Sequence, residues 1–118
     1  MIRQMPQDQK EEKRRFERIT IGPAVEIPVL DTRDKQAGVL RQLARGGFAM
    51  ETDRTFTKDT RIYDFTIHEP TEDIRFQVSA RVRFCEPNLV GFEFVDLTPE
   101  AAVELGILIG KYYEHNKA

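Results

Sequence analysis

The sequence predicts a mainly β domain, an antiparallel barrel or sandwich of about six short strands that ends in an α-helix. Three observations predict it. Short segments rich in β-branched and aromatic residues recur along the chain, and polar turns separate them. One segment, from Ile74 to Phe84, alternates apolar and polar side chains, as a half-buried strand does. The last segment carries a helix start signal and apolar residues at helical spacing.

The predicted strands follow from the period-two pattern and from the turn residues between them. In chain order they cover residues 19–30, 37–44, 48–51, 61–68, 74–84 and 90–94. Pro23 and Pro28 in the first segment favour an edge position or a bulge, because proline lacks the amide that a central strand needs. Gly46 and Gly47 separate the second strand from the third, and residues 86–88 connect the last two strands as a hairpin.

The C-terminal segment predicts a helix over residues 98–114. Thr98 can cap this helix, and Pro99 suits its first position. Gly106 and Gly110 are spaced for close helix approach, either in a dimer contact or against the barrel. We expect an apolar stripe to close one end of the β-structure, and its members are Ala101, Leu105, Leu108 and Tyr112.

Residues 1–18 are predicted to be a flexible arm, and residues 19–118 the folded domain. The arm has few apolar side chains, so it cannot bury enough surface to hold itself on the domain. Residues 13–18 read Lys-Arg-Arg-Phe-Glu-Arg, with four cations against one anion. The whole chain has a formal net charge of −2, which argues against a nucleic-acid polymer as partner. We therefore expect anion binding to be local and to begin in the arm.

Length and composition indicate a single soluble domain. The chain has 118 residues, of which 40% are hydrophobic and 32% are charged. No apolar run approaches the roughly 18 to 20 residues that cross a bilayer, and residues 1–13 lack the apolar segment of a secretory signal. The lone Cys85 fits a reducing compartment. We expect a cytoplasmic protein with no membrane insertion.

Two features are candidates for ligand chemistry. Arg14, Arg15 and Arg18 each carry a guanidinium, which can grip a phosphate with two hydrogen bonds, stack on a base, or pair with the edge of guanine. Gly46 and Gly47 at a strand break allow positive φ and close approach of a ligand to the backbone. Each feature also has a plain explanation, as a solvated charge run or as an ordinary turn.

Taken together, these segments resemble the PilZ family. That family carries an RxxxR motif just before its first strand, which residues 14–18 match. Its second motif, (D/N)xSxxG, corresponds to residues 42–47, Gln-Leu-Ala-Arg-Gly-Gly. Residues 90–100 also look like the last strand and helix start of the family, and the resemblance covers roughly residues 13–114.

The resemblance implies a six-stranded antiparallel β-barrel with an appended helix, and cyclic di-GMP as the ligand of a signalling module. The implied ligand-binding residues are Arg14, Arg15, Arg18, Gln42, Ala44, Arg45, Gly46 and Gly47. Arg14 and Arg18 would hold phosphates and guanines, and Gly47 would let the ligand sit close to the backbone. Arg81 and Arg83, on the polar face of the fifth predicted strand, are weaker candidates.

The second motif departs from the family pattern. Gln42 stands where the family usually has Asp or Asn, and Ala44 where it usually has Ser. The loss of one charge-assisted and one neutral hydrogen bond would weaken binding by roughly two to three orders of magnitude. Arg45 is a candidate to compensate. The alternative hypothesis is a PilZ domain that has lost nucleotide binding and acts as a protein-interaction module for pilus, flagellar or related regulation.

Other classes of protein fit the residues less well. An enzyme is not expected, because neither His68 nor His115 reads as part of a catalytic triad and Cys85 has no evident base beside it. The chain lacks the Cys and His pairing of a zinc site, so we expect neither a metal nor a cofactor. A nucleic-acid-binding barrel would need a basic face with stacking aromatics. The expected partners are cyclic di-GMP or another cyclic dinucleotide and an unidentified bacterial protein, with the chain as a monomer or weak dimer.

Overall fold

The computed structural model describes residues 18–117. These residues form seven strands and a helix. The strands are β1 (Arg18–Thr20), β2 (Pro28–Leu30), β3 (Gln36–Ala44), β4 (Gly47–Glu51), β5 (Tyr63–Glu69), β6 (Ile74–Glu86) and β7 (Leu89–Phe94), and the helix is α1 (Pro99–Lys117).

Six of the strands, β2 to β7, close into an antiparallel barrel. Around the barrel run β3, β2, β5, β6, β7 and β4, and the pairing of β3 with β4 closes the ring. The predicted six-stranded antiparallel barrel is therefore confirmed. β1 lies outside the ring and pairs with the end of β3, whereas β2 pairs with the beginning of β3. β1 and β2 thus follow one another along the same edge of β3.

The predicted strand over residues 19–30 is wrong as a single element, since it forms β1 and β2 with a loop between them. The Ile21 amide donates a hydrogen bond to the Arg41 carbonyl at 2.7 Å. The Arg41 guanidinium in turn donates to the carbonyls of Gly22 and Val25, each at 3.4 Å. A side chain thus satisfies carbonyls that a continuous strand would pair with its neighbour.

An aromatic cluster fills part of the barrel interior. The ring centroid of Phe92 on β7 lies 5.0 Å from that of Phe48, 5.1 Å from that of Phe65 and 5.3 Å from that of Phe56. Phe56 belongs to the loop between β4 and β5, so its ring ties this loop to the barrel. Such ring pairs contribute about 0.5 to 1.5 kcal/mol each beyond the area that they bury.

Helix α1 begins as the sequence predicts and runs to Lys117. The Thr98 hydroxyl accepts a hydrogen bond from the Ala101 amide at 3.1 Å, which is the expected cap. The helix packs on β1 and β6. Its buried residues are those of the predicted stripe together with one more: Ala101, Leu105, Leu108, Ile109 and Tyr112.

A buried carboxylate holds the C-terminal half of α1. Glu69 at the end of β5 is fully buried. Its carboxylate accepts hydrogen bonds from the amides of Thr71 and Glu72 at 3.1 and 3.0 Å, from the Thr71 hydroxyl, and from the Tyr112 hydroxyl at 3.2 Å. Lys111 Nζ lies 3.3 Å from Glu69 Oε2. Burial raises the pKa of Glu69, but the hydrogen bonds outweigh burial and lower its pKa to about 2.

Candidate functional site

An open groove lies on the outer surface of the sheet, where β1, β3, β4, β7 and β6 run side by side. Its volume is ≈ 370 Å³. The residues that line it are Arg18, Gln42, Leu43, Ala44, Arg45, Gly46, Gly47, Phe48, Ala49, Arg83, Phe84, Gly91 and Phe92. All the predicted ligand-binding residues that fall within residues 18–117 therefore line one groove.

Strand register explains why these residues meet. One outward-facing row crosses the sheet as Arg18, Ala44, Gly47 and Glu93. A second outward-facing row crosses it as Thr20, Gln42, Ala49, Gly91 and Phe84. Between them, the inward-facing row supplies the core with Ile19, Leu43, Phe48, Phe92 and Val82.

Small side chains make up the groove floor, which we define as Ala44, Gly47, Ala49 and Gly91. They belong to β3, β4 and β7, so the floor spans three neighbouring strands. A floor of alanine and glycine leaves the backbone close to whatever occupies the groove. Ala49 and Gly91 are themselves buried, so the part of the floor that is open to a flat group is Ala44 and Gly47.

Cationic side chains stand on both sides of the groove floor. Arg18 begins β1 and is exposed on one side, and Arg83 is exposed on the β6 side. Arg45, between β3 and β4, also lines the groove, and a Cβ added to Gly106 of α1 would lie 3.8 Å from its guanidinium. The groove is thus suited to an anion, and one of its arginines lies beside the helix.

Arg81 occupies a different position from Arg83. Its Nε lies 4.0 Å from a carboxylate oxygen of Glu93, on the row that contains Gly47. Arg81 does not line the groove. Of the two weaker candidates, the structure therefore brings only Arg83 to the groove.

Gly46 and Gly47 do not adopt the positive φ that glycine allows at such a strand break. No glycine in the described part of the chain has positive φ. A Cβ added to Gly47 would lie 2.1 Å from the Phe92 carbonyl oxygen, so the close approach of β7 already requires glycine there. Among the described residues, nothing lies within 4 Å of a Cβ added to Gly46. Packing within the barrel therefore explains why residue 47 is a glycine, without reference to a ligand.

Of the RxxxR motif, only Arg18 lies among the residues that the structure describes. Arg14 and Arg15 fall outside residues 18–117, so their positions relative to the groove stay a prediction. Arg18 pairs directly with Ala44 in the register of β1 and β3. This pairing brings the end of the RxxxR segment against the second motif. The two positions that depart from the family pattern, Gln42 and Ala44, lie in the groove itself.

Phe84 and Gly91 also line the groove, and neither was among the predicted ligand-binding residues. The strict alternation over residues 74–84 places Phe84 on the apolar face, which predicts an inward-facing side chain. A bulge between Val82 and Phe84 shifts the register of β6 on β7, and Phe84 turns outward to 36% exposure. A glycine within β7 was the available signal, since glycine in a strand often marks a bulge or a close approach.

The comparison with protein families decides the classification. The model of the PilZ domain family matches residues 12–110.

The chain belongs to the PilZ domain family.

Solved structures share the PilZ fold with this chain. The PilZ domain of YcgR from Escherichia coli, determined with cyclic di-GMP, superposes with a TM-score of 0.62 at 12% identity, over 85% of this chain and 91% of that one. The PilZ domain of CeSA from a cellulose-synthesizing bacterium gives 0.58 at 15% identity, over 80% and 96%. An uncharacterized Legionella protein gives 0.59 at 11% identity, over 86% and 98%. No curated protein matches the sequence.

Within residues 18–117, no three His, Cys, Asp or Glu side chains are grouped to hold a metal ion. His68 Nε2 lies 3.0 Å from Asp73 Oδ1 at the β5–β6 turn, and Cys85 Sγ donates to the Phe56 carbonyl at 3.3 Å. The same part of the chain has no helix long and apolar enough to cross a membrane.

Proposed function

We propose that this PilZ domain is a cyclic di-GMP-binding signalling module and that the ligand occupies the groove over Ala44 and Gly47. The observation that carries the proposal is the pairing of Arg18 with Ala44, which joins both family motifs in one groove. The structural similarity to the PilZ domain of YcgR, which was determined with cyclic di-GMP, supports it.

The chemistry of the groove suits such a ligand. Cyclic di-GMP carries two phosphates and two guanines, so a receptor needs cations and flat surfaces near each other. Arg18, Arg45 and Arg83 surround the groove floor, and a guanidinium binds phosphate bidentately and also pairs with the guanine edge. Arg14 and Arg15 of the arm add two further cations. The role is recognition of the nucleotide and not its turnover.

Gln42 and Ala44 set the expected affinity. A glutamine carbonyl replaces the carboxylate or shorter amide of the family motif, and an alanine removes a hydroxyl donor. We infer that the domain binds cyclic di-GMP roughly two to three orders of magnitude more weakly than a receptor with the complete motif.

Calorimetric titration with cyclic di-GMP tests the proposal. Arg14→Ala combined with Arg18→Ala removes one arginine that precedes β1 and one that lines the groove, and we expect binding to be lost. The matched control is Arg33→Ala with Arg75→Ala, which removes two exposed arginines that do not line the groove. If the first double variant still binds cyclic di-GMP, the proposed site is wrong. If both double variants lose affinity equally, the loss is a general charge effect.

The second candidate function is a protein-interaction module without a nucleotide ligand. The observation in its favour is that both motif departures lie in the groove, where Ala44 offers no hydroxyl and Gln42 no carboxylate. The same titration separates the two candidates. No heat at millimolar cyclic di-GMP would support the interaction module.

We further propose that the ligand draws the arm over the groove and that this change is read by a bacterial protein partner. The arm carries Arg14 and Arg15, and its junction with the barrel, Arg18, lies at the groove edge. Phosphates that neutralise these cations favour a closed arm, because bringing the cations together without an anion is opposed by their mutual repulsion.

A further inference from the structure

The β6 side of the groove differs in chemistry from the β1 side. The β1 side presents Arg18 and the polar Gln42, whereas the β6 side presents Arg83 beside the partly exposed ring of Phe84. Phe84 is one of the few large apolar side chains of the described chain that are exposed. Exposed aromatic rings at a cationic groove are suited to stacking on nucleobases.

The position of the Phe84 ring is set by Gly91. A Cβ added to Gly91 would lie 2.1 Å from Phe84 Cε2 and 2.6 Å from both Cδ2 and Cζ. The ring therefore covers Gly91 directly, and only glycine leaves room for it. The bulge that turns Phe84 outward also leaves Arg83 as the unpaired residue of β6, so the two side chains are presented together.

We propose that Phe84 is the surface on which one guanine of cyclic di-GMP stacks, with Arg83 beside it to meet the guanine edge or a phosphate. This assignment rests on the proposed function and deepens it. The ring of Phe84 receives a base on the β6 side, and the Arg18 side holds a phosphate. Gly91 is a positioning residue, since the absence of a side chain there lets the Phe84 ring lie against the backbone of β7.

An aromatic ring over a strand glycine also stabilises a sheet by itself. Phe84→Leu separates this role from stacking, because leucine still covers Gly91 with apolar atoms but has no π-face. Phe84→Tyr keeps the ring. Gly91→Ala keeps Phe84 but displaces its ring, since the new methyl group and the ring cannot occupy the same space. Ile62→Ala is the matched control, an exposed apolar side chain of 51% exposure that does not line the groove.

The experiment titrates the full chain and each variant with cyclic di-GMP by calorimetry and follows the guanine H8 resonance by NMR. We expect Phe84→Leu to weaken binding by about 5- to 150-fold, the range of one base–aromatic stack. Gly91→Ala should also weaken binding. The affinity of Phe84→Tyr should stay within about threefold of that of the natural protein, and Ile62→Ala should leave the affinity unchanged. The H8 resonance should move upfield on binding to the natural protein, and less on binding to Phe84→Leu.

The outcomes distinguish this inference from the proposed function. If the natural protein binds and Phe84→Leu binds equally well, with the same H8 shift, the stacking role is wrong and the proposed function stands. If the natural protein does not bind, both are overturned. Thermal melting of each variant without ligand shows whether a loss of affinity is a loss of folding, and Phe84→Tyr then reports on stacking in a folded protein.

Discussion

At the scale of single residues, the groove depends on the pairing of Arg18 with Ala44. Arg18 is exposed at the start of β1, and its backbone lies opposite Ala44 of β3. Segments that are distant in sequence thus contribute a cation and a small floor residue to the same place. Compared with the family motif, β3 lacks a hydroxyl at Ala44 and a carboxylate acceptor at Gln42.

Restoring the motif should therefore strengthen binding. For Gln42→Asp combined with Ala44→Ser, we expect cyclic di-GMP affinity to rise by roughly 100- to 1000-fold, through one charge-assisted and one neutral hydrogen bond. Calorimetry measures the change. Gln77→Asp, which adds the same charge at an exposed position of β6 outside the groove, is the control and should give no gain. An unchanged affinity in the restored variant would mean that the ligand does not contact β3.

At the scale of elements, helix α1 depends on a turn of the barrel for its docking. Glu69 at the end of β5 and Thr71 of the β5–β6 turn meet Lys111 and Tyr112 of the helix in a hydrogen-bonded cluster. Glu69 is fully buried, and its hydrogen bonds offset the cost of burying its charge. The N-terminal half of α1 is held by apolar packing, and its C-terminal half by this cluster as well.

The Glu69 cluster predicts a specific pH dependence. The pKa of Glu69 is about 2 in the folded chain, below its ordinary value of 4.5, so its contribution to stability is present above pH 4.5 and is lost as pH falls towards 2. At neutral pH, Glu69→Gln should lower the free energy of unfolding by about 2 to 3 kcal/mol. We expect the difference in unfolding free energy between this variant and the natural protein to decrease as pH falls from 4.5 towards 2. Denaturant unfolding at a series of pH values measures it.

Glu72→Gln is the matched control for this measurement. The Glu72 carboxylate also lies near Lys111 Nζ, at 3.4 Å, but its side chain is 61% exposed. An exposed ion pair contributes about 0 to 1 kcal/mol, so the control should cost much less than Glu69→Gln. Equal effects of the two substitutions would show that burial of Glu69 is not what stabilises the helix contact.

At the scale of the whole molecule, the groove and the helix are neighbours. α1 packs on β1 and β6, which are the two strands that border the groove floor. Arg45 lines the groove and also lies beside Gly106 of α1. A ligand that engages Arg45 therefore acts next to the helix surface. Arg18, the first residue of β1, lies at the edge of the same groove.

Ligand-dependent order in the arm follows from this arrangement. On addition of cyclic di-GMP, we expect slower amide hydrogen exchange in residues 1–17, because the ligand phosphates attract Arg14 and Arg15. The measurement is hydrogen exchange followed by mass spectrometry. The Arg14→Ala, Arg18→Ala variant should show no change at the same ligand concentration. An arm equally protected without ligand would contradict the proposed closure.

Much of the fold and part of the groove were predictable from local pattern. The period-two alternation in β6 up to Val82, the cap at Thr98 and the apolar stripe of α1 are local signals, and the structure confirms them. The break between β1 and β2 was not predicted, because the Arg41 side chain that satisfies the loop comes from β3. Phe84 was assigned to the wrong face for a similar reason, since a bulge depends on the partner strand.

The sequence alone determined most of the strands, the helix and the resemblance to the family, because these follow from side-chain spacing and from motifs within short segments. Only the tertiary structure decided that Arg18 pairs with Ala44, that Phe84 turns outward over Gly91, and that Glu69 is buried beneath Tyr112. Each of these depends on register or packing between segments far apart in the chain. The spacing of residues along the sequence does not give the distance in space between such segments. Closure of the barrel brings them together.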